Sequence, residues 1–119
     1  MILIAEDDAN ARLLFTRILS RTGHDVLEGQ DGEEALRLFE THLFDLVITD
    51  LVMPKINGFD LITRIHRKKP SLPIILVSGY LSEDGAKNIL AGAVEFIPKP
   101  INRNRLIATV NRLAPPKHA

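Results

Sequence analysis

Four short apolar runs in this sequence are each followed by side chains that can do chemistry: Glu6-Asp7-Asp8 after residues 2–5, Asp50 after 46–49, Ser78 after 74–77 and Lys99 after 94–97. Each run has the length and apolarity of a buried strand. An acid at the tip of a buried strand is not needed for folding, but it lies where α/β proteins bind ligands. The four tips predict a site that combines carboxylates, a hydroxyl and an ammonium group.

The carboxylates of such a site repel one another, so without a cation at least one of their pKa values should rise. A hard divalent cation removes the conflict, and oxygen ligands alone favour Mg²⁺ or Ca²⁺ over zinc. Mg²⁺ takes few carboxylates, which leaves one free to accept a phosphoryl group as an acyl phosphate. Lys99 and the Ser78 hydroxyl would hold the negative charge of that group. These parts suit phosphoryl transfer to an aspartate.

Two kinds of element alternate along the 119 residues and must position these side chains. Strands are predicted at 2–5, 24–28, 45–49, 74–77 and 94–97. Helices are predicted at 10–22, from Asp31 through Phe39, and at 58–69, 82–91 and 102–113. Five such βα units imply an α/β fold, a parallel sheet with helices on both faces. All strand carboxyl ends then share one edge, so the four tips lie along that edge whatever the strand order.

Local signals mark several element ends. Gly23 stands at the C′ position of the first helix, and Asp31, Ser82 and Asn102 are candidate N-caps. The first helix carries four apolar residues at helical spacing: Leu13, Leu14, Ile18 and Leu19. The alternating strand 24–28 is predicted to lie at a sheet edge. We expect one domain over residues 1–114, with 115–119 as a C-terminal tail or the start of a linker.

Composition excludes several classes of function. The formal net charge is zero, which gives no electrostatic basis for binding nucleic acid or an anionic membrane. The chain has no cysteine, so thiolate metal sites and disulfides are excluded. No apolar stretch has the length of a membrane helix, and no signal-peptide pattern follows Met1. A cytoplasmic protein fits these features.

The chain resembles the receiver domain of bacterial two-component response regulators, the superfamily of the chemotaxis regulators, from residue 2 to about 113. The family motifs match Glu6-Asp7, Asp50-Leu51-Val52-Met53-Pro54 with Gly58, Ser78 and Lys99-Pro100. Singly these motifs are weak, but in this order on these strand tips they are highly specific. The resemblance implies a flavodoxin-like, doubly wound, five-stranded parallel sheet of order 2-1-3-4-5 with five helices.

By that resemblance, Asp50 accepts a phosphoryl group from a sensor histidine kinase or a histidine phosphotransfer protein, as in a phosphorelay. Asp7 and Asp50 would bind Mg²⁺ directly, Glu6 would bind it through water, and the backbone carbonyl of Val52 would complete the protein ligands. The chain would thus catalyse its own phosphorylation and a slow autodephosphorylation, without being a conventional metabolic enzyme.

The resemblance also assigns the remaining site residues. Lys99 and Ser78 would contact the phosphoryl group, and a cis Lys99–Pro100 bond would aim the lysine inward. Ser78 and Phe96 would form the switch, in which the aromatic ring fills the space that the hydroxyl leaves. The surface of the fourth helix, fifth strand and fifth helix would then change and alter binding of an unknown output domain or protein, or support a phosphorylation-dependent dimer.

Two residues beside the acceptor depart from a hydrolytic arrangement. Val52 is apolar and cannot orient an attacking water, and Tyr80 can partly cover the phosphoryl group. We therefore expect slow self-dephosphorylation. Gly79 stands where the family often has alanine, which should loosen the loop after the fourth strand. Asp8 is predicted to cap a helix or to face solvent rather than to bind metal.

Other functions remain open beside the switch. A receiver-like binding module that signals without phosphorylation is the main alternative, although such modules typically lose an acid or the lysine. A haloacid-dehalogenase-type phosphatase needs a second aspartate where this chain has Val52. A flavodoxin would need a hydroxyl-rich phosphate loop where this chain has Glu6-Asp7-Asp8. The receiver either stands alone and contacts a partner or belongs to a longer regulator or hybrid kinase.

Overall fold

The computed structural model of the chain describes residues 1–82, 84–85 and 94–116. Its strands are β1 (Ile2–Ala5), β2 (Val26–Gly29), β3 (Leu46–Asp50), β4 (Ile74–Ser78) and β5 (Val94–Pro98). The described helices are α1 (Ala9–Arg21), α2 (Gly32–Thr41), α3 (Gly58–Lys68) and a C-terminal helix (Arg103–Leu113). Most of the predicted helix 82–91 lies outside the described residues. At its start, the backbone N–H of Gly85 donates to Ser82 Oγ at 3.0 Å, as the predicted N-cap requires.

The five strands form one parallel sheet of order β2-β1-β3-β4-β5, which confirms the predicted flavodoxin-like topology. Strand β2 lies at one edge, as predicted from its alternating pattern. In the middle of the sheet, Ala5 pairs in register with Thr49, so the residues after each lie side by side. The chain reverses its direction of winding between β1 and β3, and ligands of such sheets bind at that point.

Each central strand is buried on both faces, which explains its continuous apolar sequence. Ile4 and Ile48 pack with α1 and the C-terminal helix on one face. Leu3 and Leu76 pack with α2 and α3 on the other face. Two apolar layers therefore hold the sheet from both sides and leave its carboxyl edge free to carry polar groups.

Three of the predicted helix ends are confirmed. Asp31 and Asn102 accept from the backbone N–H groups of Glu34 and Arg105, at 2.8 and 2.9 Å. Gly23 has a φ of 91°, a backbone conformation that glycine adopts without the cost imposed by a Cβ. Asp31 and Asn102 thus begin α2 and the C-terminal helix, and Gly23 follows the end of α1.

The apolar face of α1 differs from the sequence pattern. Phe15, Ile18 and Leu19 are buried, but Leu13 and Leu14 are 46% and 51% exposed. The sheet contacts an arc of the helix centred on positions 15, 18 and 19, and residues 13 and 14 fall on its flank. Apolar spacing alone did not distinguish the buried arc from its neighbours.

None of the helices within the described ranges combines the length and the apolarity that a membrane span requires.

Candidate functional site

The first acidic residues of the site lie where β1 ends. Glu6 is almost fully buried, with 1% of its surface exposed, whereas Asp7 is exposed. The backbone N–H of Glu6 still donates to Gly29 O at 3.1 Å, which continues the sheet for one residue. Asp8 then caps α1 by accepting from the backbone N–H of Ala11 at 2.8 Å, which confirms its capping role. The strand and the cap together fix the two acids between them.

The acceptor candidate Asp50 is the last residue of β3. Its Oδ1 accepts from the backbone N–H of Leu51 at 2.7 Å, which orients the carboxylate. Gly58 closes the following loop, since its N–H donates to Leu51 O at 2.8 Å. A Cβ at Gly58 would lie 2.3 Å from Asp50 O, so only glycine permits this approach. Lys55 within the loop has a φ of 70°, an uncommon conformation for a residue with a side chain.

Lys99 reaches the two acids from the far side of the sheet edge. Its Nζ donates to Glu6 Oε1 at 2.9 Å and to Asp50 Oδ2 at 3.2 Å. The backbone N–H of Lys99 donates to Ser78 O at 3.0 Å, which ties it to the end of β4. The Lys99–Pro100 peptide bond is cis. One ammonium group therefore links the ends of β1, β3 and β5.

Burial and charge make this cluster unusual. Burial, followed by the hydrogen bond with the Asp50 carboxyl, raises the pKa of Glu6 to about 7, and Lys99 only partly offsets this. The predicted rise of one carboxyl pKa in the absence of a cation is thus confirmed, although burial contributes more than repulsion. Burial lowers the pKa of Lys99, but its bonds to Glu6 and Asp50 outweigh that effect and raise the pKa overall.

The donor set fits a hard divalent cation. Carboxylate oxygens of Glu6, Asp7 and Asp50 all lie within 4.8 Å of one another. The second oxygen of Glu6, Oε2, is buried and has no hydrogen-bond partner in the described part of the chain. Such an oxygen needs a cation, a water or a proton, because an unpaired buried carboxylate is costly. Oxygen ligands of this kind suit Mg²⁺ or Ca²⁺.

A cavity of about 410 Å³ opens above these acids. It is lined by Asp7, Asp50, Val52, Gly79, Tyr80 and Lys99. Val52 is 52% exposed and Tyr80 is 79% exposed, so both present apolar surface beside the acceptor carboxylate. The cavity combines two carboxylates and an ammonium group with apolar side chains, and together with a bound cation it can hold a small anionic group.

The two candidate switch residues lie on β4 and β5, outside the described lining of the cavity. Ser78 is fully buried, and its Oγ accepts from the backbone N–H of Tyr80 at 2.9 Å. Phe96 is half-buried and packs against the apolar layer that includes Leu76, its register partner. Its carbonyl accepts from Arg105 Nη2 of the C-terminal helix at 3.2 Å. Phe96 does not line the cavity among the described residues.

Arg12 is a residue at this site that sequence reasoning did not identify. Its Nη1 donates to Glu6 O at 2.8 Å and to Asp7 O at 3.4 Å. An arginine in the first turn of an exposed helix is common, so its type gave no signal. Its position five residues after Asp7, one turn beyond the cap at Asp8, was the only available hint.

Comparison with known proteins agrees with this geometry. Residues 2–111 match the family model of the response regulator receiver domain. The DNA-binding transcriptional regulator NtrC of Rhizobium meliloti (strain 1021) is 39% identical over 118 residues, which are 98% of this chain and 24% of that protein. The sensor kinase CckA of Brucella abortus (strain 2308) is 34% identical over 115 residues, which are 94% of this chain and 12% of that protein.

A solved structure has the same fold at nearly the same length. The receiver domain of NtrX from Brucella abortus aligns with a TM-score of 0.85 and 28% identity. The alignment covers 95% of this chain and 97% of that one. The chain therefore corresponds to about one receiver domain, and it spans a quarter or less of the two curated relatives named above.

Proposed function

The chain belongs to the response regulator receiver family, and from that premise we propose that it is a phosphoryl-accepting signalling switch whose acceptor is Asp50. The donor is a phosphohistidine of a sensor kinase or a histidine phosphotransfer protein. One observation carries the proposal: the carboxylates of Glu6, Asp7 and Asp50 lie together, and the Lys99 ammonium lies 3.2 Å from Asp50 Oδ2.

The reaction is a displacement at phosphorus. An Asp50 oxygen forms a bond to phosphorus while the phosphorus–nitrogen bond of the donor breaks, and the imidazole leaves with the bonding electron pair. The N–H of Leu51 holds one Asp50 oxygen in place during this step. The product is an acyl phosphate, which carboxylate nucleophiles form in other phosphoryl-transfer proteins.

Charge on the transferring group must be compensated. Asp7, Asp50, Glu6 through water and the carbonyl of Val52 would hold Mg²⁺, which supplies positive charge to the phosphoryl oxygens when it is bound. Lys99, whose Nζ lies 3.2 Å from Asp50 Oδ2, would supply a second positive charge. Because Lys99 also pairs with Glu6 at 2.9 Å, it is positioned before the phosphoryl group arrives.

The response passes through Ser78 and Phe96 in this proposal. Ser78 accepts one hydrogen bond from Tyr80, and its own proton is not used in that bond. Donating this proton to a phosphoryl oxygen would move the hydroxyl toward Asp50. Phe96 would then move into the space that the hydroxyl leaves, and the surface of β5 and the C-terminal helix would change for a partner or a second copy of the chain.

We test the acceptor with a small phosphodonor. The protein is incubated with Mg²⁺ and acetyl phosphate and its intact mass is measured. One added phosphoryl group is expected in the wild type and none in Asp50→Asn. Asp8→Asn is the matched control, because an asparagine can also accept from Ala11 N–H, and it should be labelled like the wild type. A wild type that folds but gains no phosphoryl group would favour the binding-module alternative.

We further propose that the acyl phosphate persists. Val52 offers no group to orient water, and Tyr80 covers one side of the cavity. The fraction of phosphorylated protein, followed by intact mass after removal of the donor, should decay over minutes or longer. Val52→Asn should shorten this decay. A wild-type half-life of seconds in Mg²⁺ would contradict the proposal.

The whole protein's output is a separate proposal. The curated relatives include a DNA-binding regulator and a sensor kinase, each much longer than this chain. We propose that residues 1–114 form the receiver unit and that 115–119 begin a linker or form a tail. A cytoplasmic location, where phosphohistidine donors act, is proposed with it.

A further inference from the structure

Arg12 connects three elements around the metal-binding acids. Its Nη1 lies 2.8 Å from Glu6 O and 3.4 Å from Asp7 O, so one nitrogen contacts the carbonyls of two consecutive residues. Only 15% of the Arg12 side chain is exposed. The guanidinium therefore lies against the β1–α1 loop rather than in solvent.

The other side of the guanidinium faces Glu28 on β2. Arg12 Nε lies 3.9 Å from Glu28 Oε1. Glu28 Oε2 accepts from the hydroxyl of Thr16, one turn further along α1. This hydrogen-bonded carboxylate lies within ion-pair distance of the guanidinium and favours the orientation in which its planar fork donates to the loop.

The contacted carbonyls belong to the residues whose side chains would bind the cation. The orientation of the Glu6–Asp7 and Asp7–Asp8 peptide planes decides where the two carboxylates point. The N–H of Glu6 is fixed by Gly29, and the Asp8 side chain is fixed by Ala11 N–H. Arg12 constrains the carbonyl side of these two peptides.

We propose that Arg12 is a positioning residue that orients Glu6 and Asp7 for Mg²⁺ through their backbone carbonyls; this inference rests on the proposed function of the same site. Groups behind metal ligands commonly change metal affinity by about 10- to 100-fold when they are removed. The effect should appear in Mg²⁺ binding itself and not only in phosphorylation.

The test measures Mg²⁺ affinity by isothermal titration calorimetry, with no phosphodonor present. Arg12→Ala should bind Mg²⁺ about tenfold more weakly than the wild type. Arg12→Lys keeps the charge and a donor, and it should recover part of the lost affinity. Glu28→Gln, which weakens the hold on Arg12, should give a smaller loss. Arg37→Ala removes a surface pair with Glu33 at 3.1 Å and is the matched control, with affinity unchanged.

Thermal unfolding in EDTA separates positioning from general stability. If Arg12 positions the acids, Arg12→Lys and Glu28→Gln lose Mg²⁺ affinity while unfolding near the wild-type temperature. The inference would be overturned if Arg12→Ala bound Mg²⁺ as tightly as the wild type. It would also be overturned if Arg12→Lys and the control Arg37→Ala lost Mg²⁺ affinity equally. A wild type that binds no Mg²⁺ would instead contradict the proposed function.

Discussion

Buried polar groups differ between the two ends of the strands, called here the amino edge and the carboxyl edge of the sheet. At the amino edge, the Met1 ammonium pairs with Asp45 at 2.6 Å and the buried His24 bonds Asn111 at 2.9 Å. At the carboxyl edge, Glu6 is just as buried, yet its Oε2 has no partner among the described residues and its pKa is raised to about 7. At the amino edge, these polar groups are paired with the chain's own atoms. At the carboxyl edge, Glu6 Oε2 is left for a ligand to pair with.

This difference supports the proposal that the site lies at the carboxyl edge. Burying a carboxylate oxygen without a hydrogen-bond partner costs stability, so a fold that needed only a closed sheet would have no reason to keep one. The amino edge shows that the chain can pair its buried polar groups. The conflict at the carboxyl edge is therefore a property of the site, and it should disappear when a cation and a phosphoryl group bind.

The largest effect is expected from the ammonium group at the carboxyl edge. Lys99→Ala should slow phosphorylation by acetyl phosphate by about 100-fold, because it removes a charge that stabilises the transferring group. The rate is followed by intact mass, with circular dichroism to show that the variant is folded. Lys68→Ala, which breaks an exposed pair with Glu40, is the control and should leave the rate unchanged. A wild-type rate in Lys99→Ala would show that the two lysines are equivalent.

The next effect concerns pH and the metal-free protein. The pKa of Glu6 is about 7 in the folded protein and near 4.5 without the fold, so the folded state holds more protons between these values. Stability in EDTA should therefore fall as pH rises from about 4.5 to 7, by up to about 1.4 kcal/mol per pH unit. The raised pKa of Lys99 acts only at far higher pH.

Urea unfolding at several pH values measures this dependence. Glu6→Gln removes the titrating group and should flatten the curve across the window. Mg²⁺ should flatten it as well, because the cation replaces the proton on the acids. A stability that rises between pH 5 and 7 in EDTA would contradict the assignment of a buried, protonated Glu6.

A smaller effect is expected at the amino edge. Asn111→Ala leaves the buried His24 without its side-chain partner and should cost about 1 to 3 kcal/mol of unfolding free energy. The phosphorylation rate should not change, since this pair is remote from Asp50. Asn104→Ala, an exposed position on the same helix, is the control and should have little effect on either quantity. Slower phosphorylation of a folded Asn111→Ala variant would contradict the claim that the amino edge does not affect the site at Asp50.

The smallest effect is expected from the exposed pair at the same edge. Asp45→Asn removes the negative charge that pairs with the Met1 ammonium, and the Asp45 side chain is 52% exposed. Solvent screening should limit the loss to less than about 1 kcal/mol in urea unfolding. A loss as large as that of Asn111→Ala would mean that exposure does not govern these pairs.

The sequence predicted the elements and the site edge because local signals encode them. Asp31, Ser82 and Asn102 were identified as caps, and each accepts the expected backbone bond. The strand tips were identified because continuous apolar runs end in polar residues there. Pattern could not separate Leu13 and Leu14 from the buried arc of α1, since that depends on how the helix lies on the sheet.

The sequence could not predict the coupling inside the site. Lys99 and Glu6 are 93 residues apart, and their 2.9 Å contact depends on the strand order and on two side-chain conformations. Arg12 donates to backbone carbonyls, which every residue has, so the residue types in the sequence do not predict its contacts. Burial of Glu6 beside exposed Asp7 likewise follows from the end of β1 and not from two adjacent acids.

Reductive trapping tests the central claim most directly. Protein treated with Mg²⁺ and acetyl phosphate is reduced with borohydride, which converts an aspartyl phosphate to homoserine, and its peptides are then sequenced by mass spectrometry. We predict homoserine at position 50 and nowhere else. Homoserine at Asp7 or Asp8, or phosphate retained on a hydroxyl or histidine side chain, would contradict it.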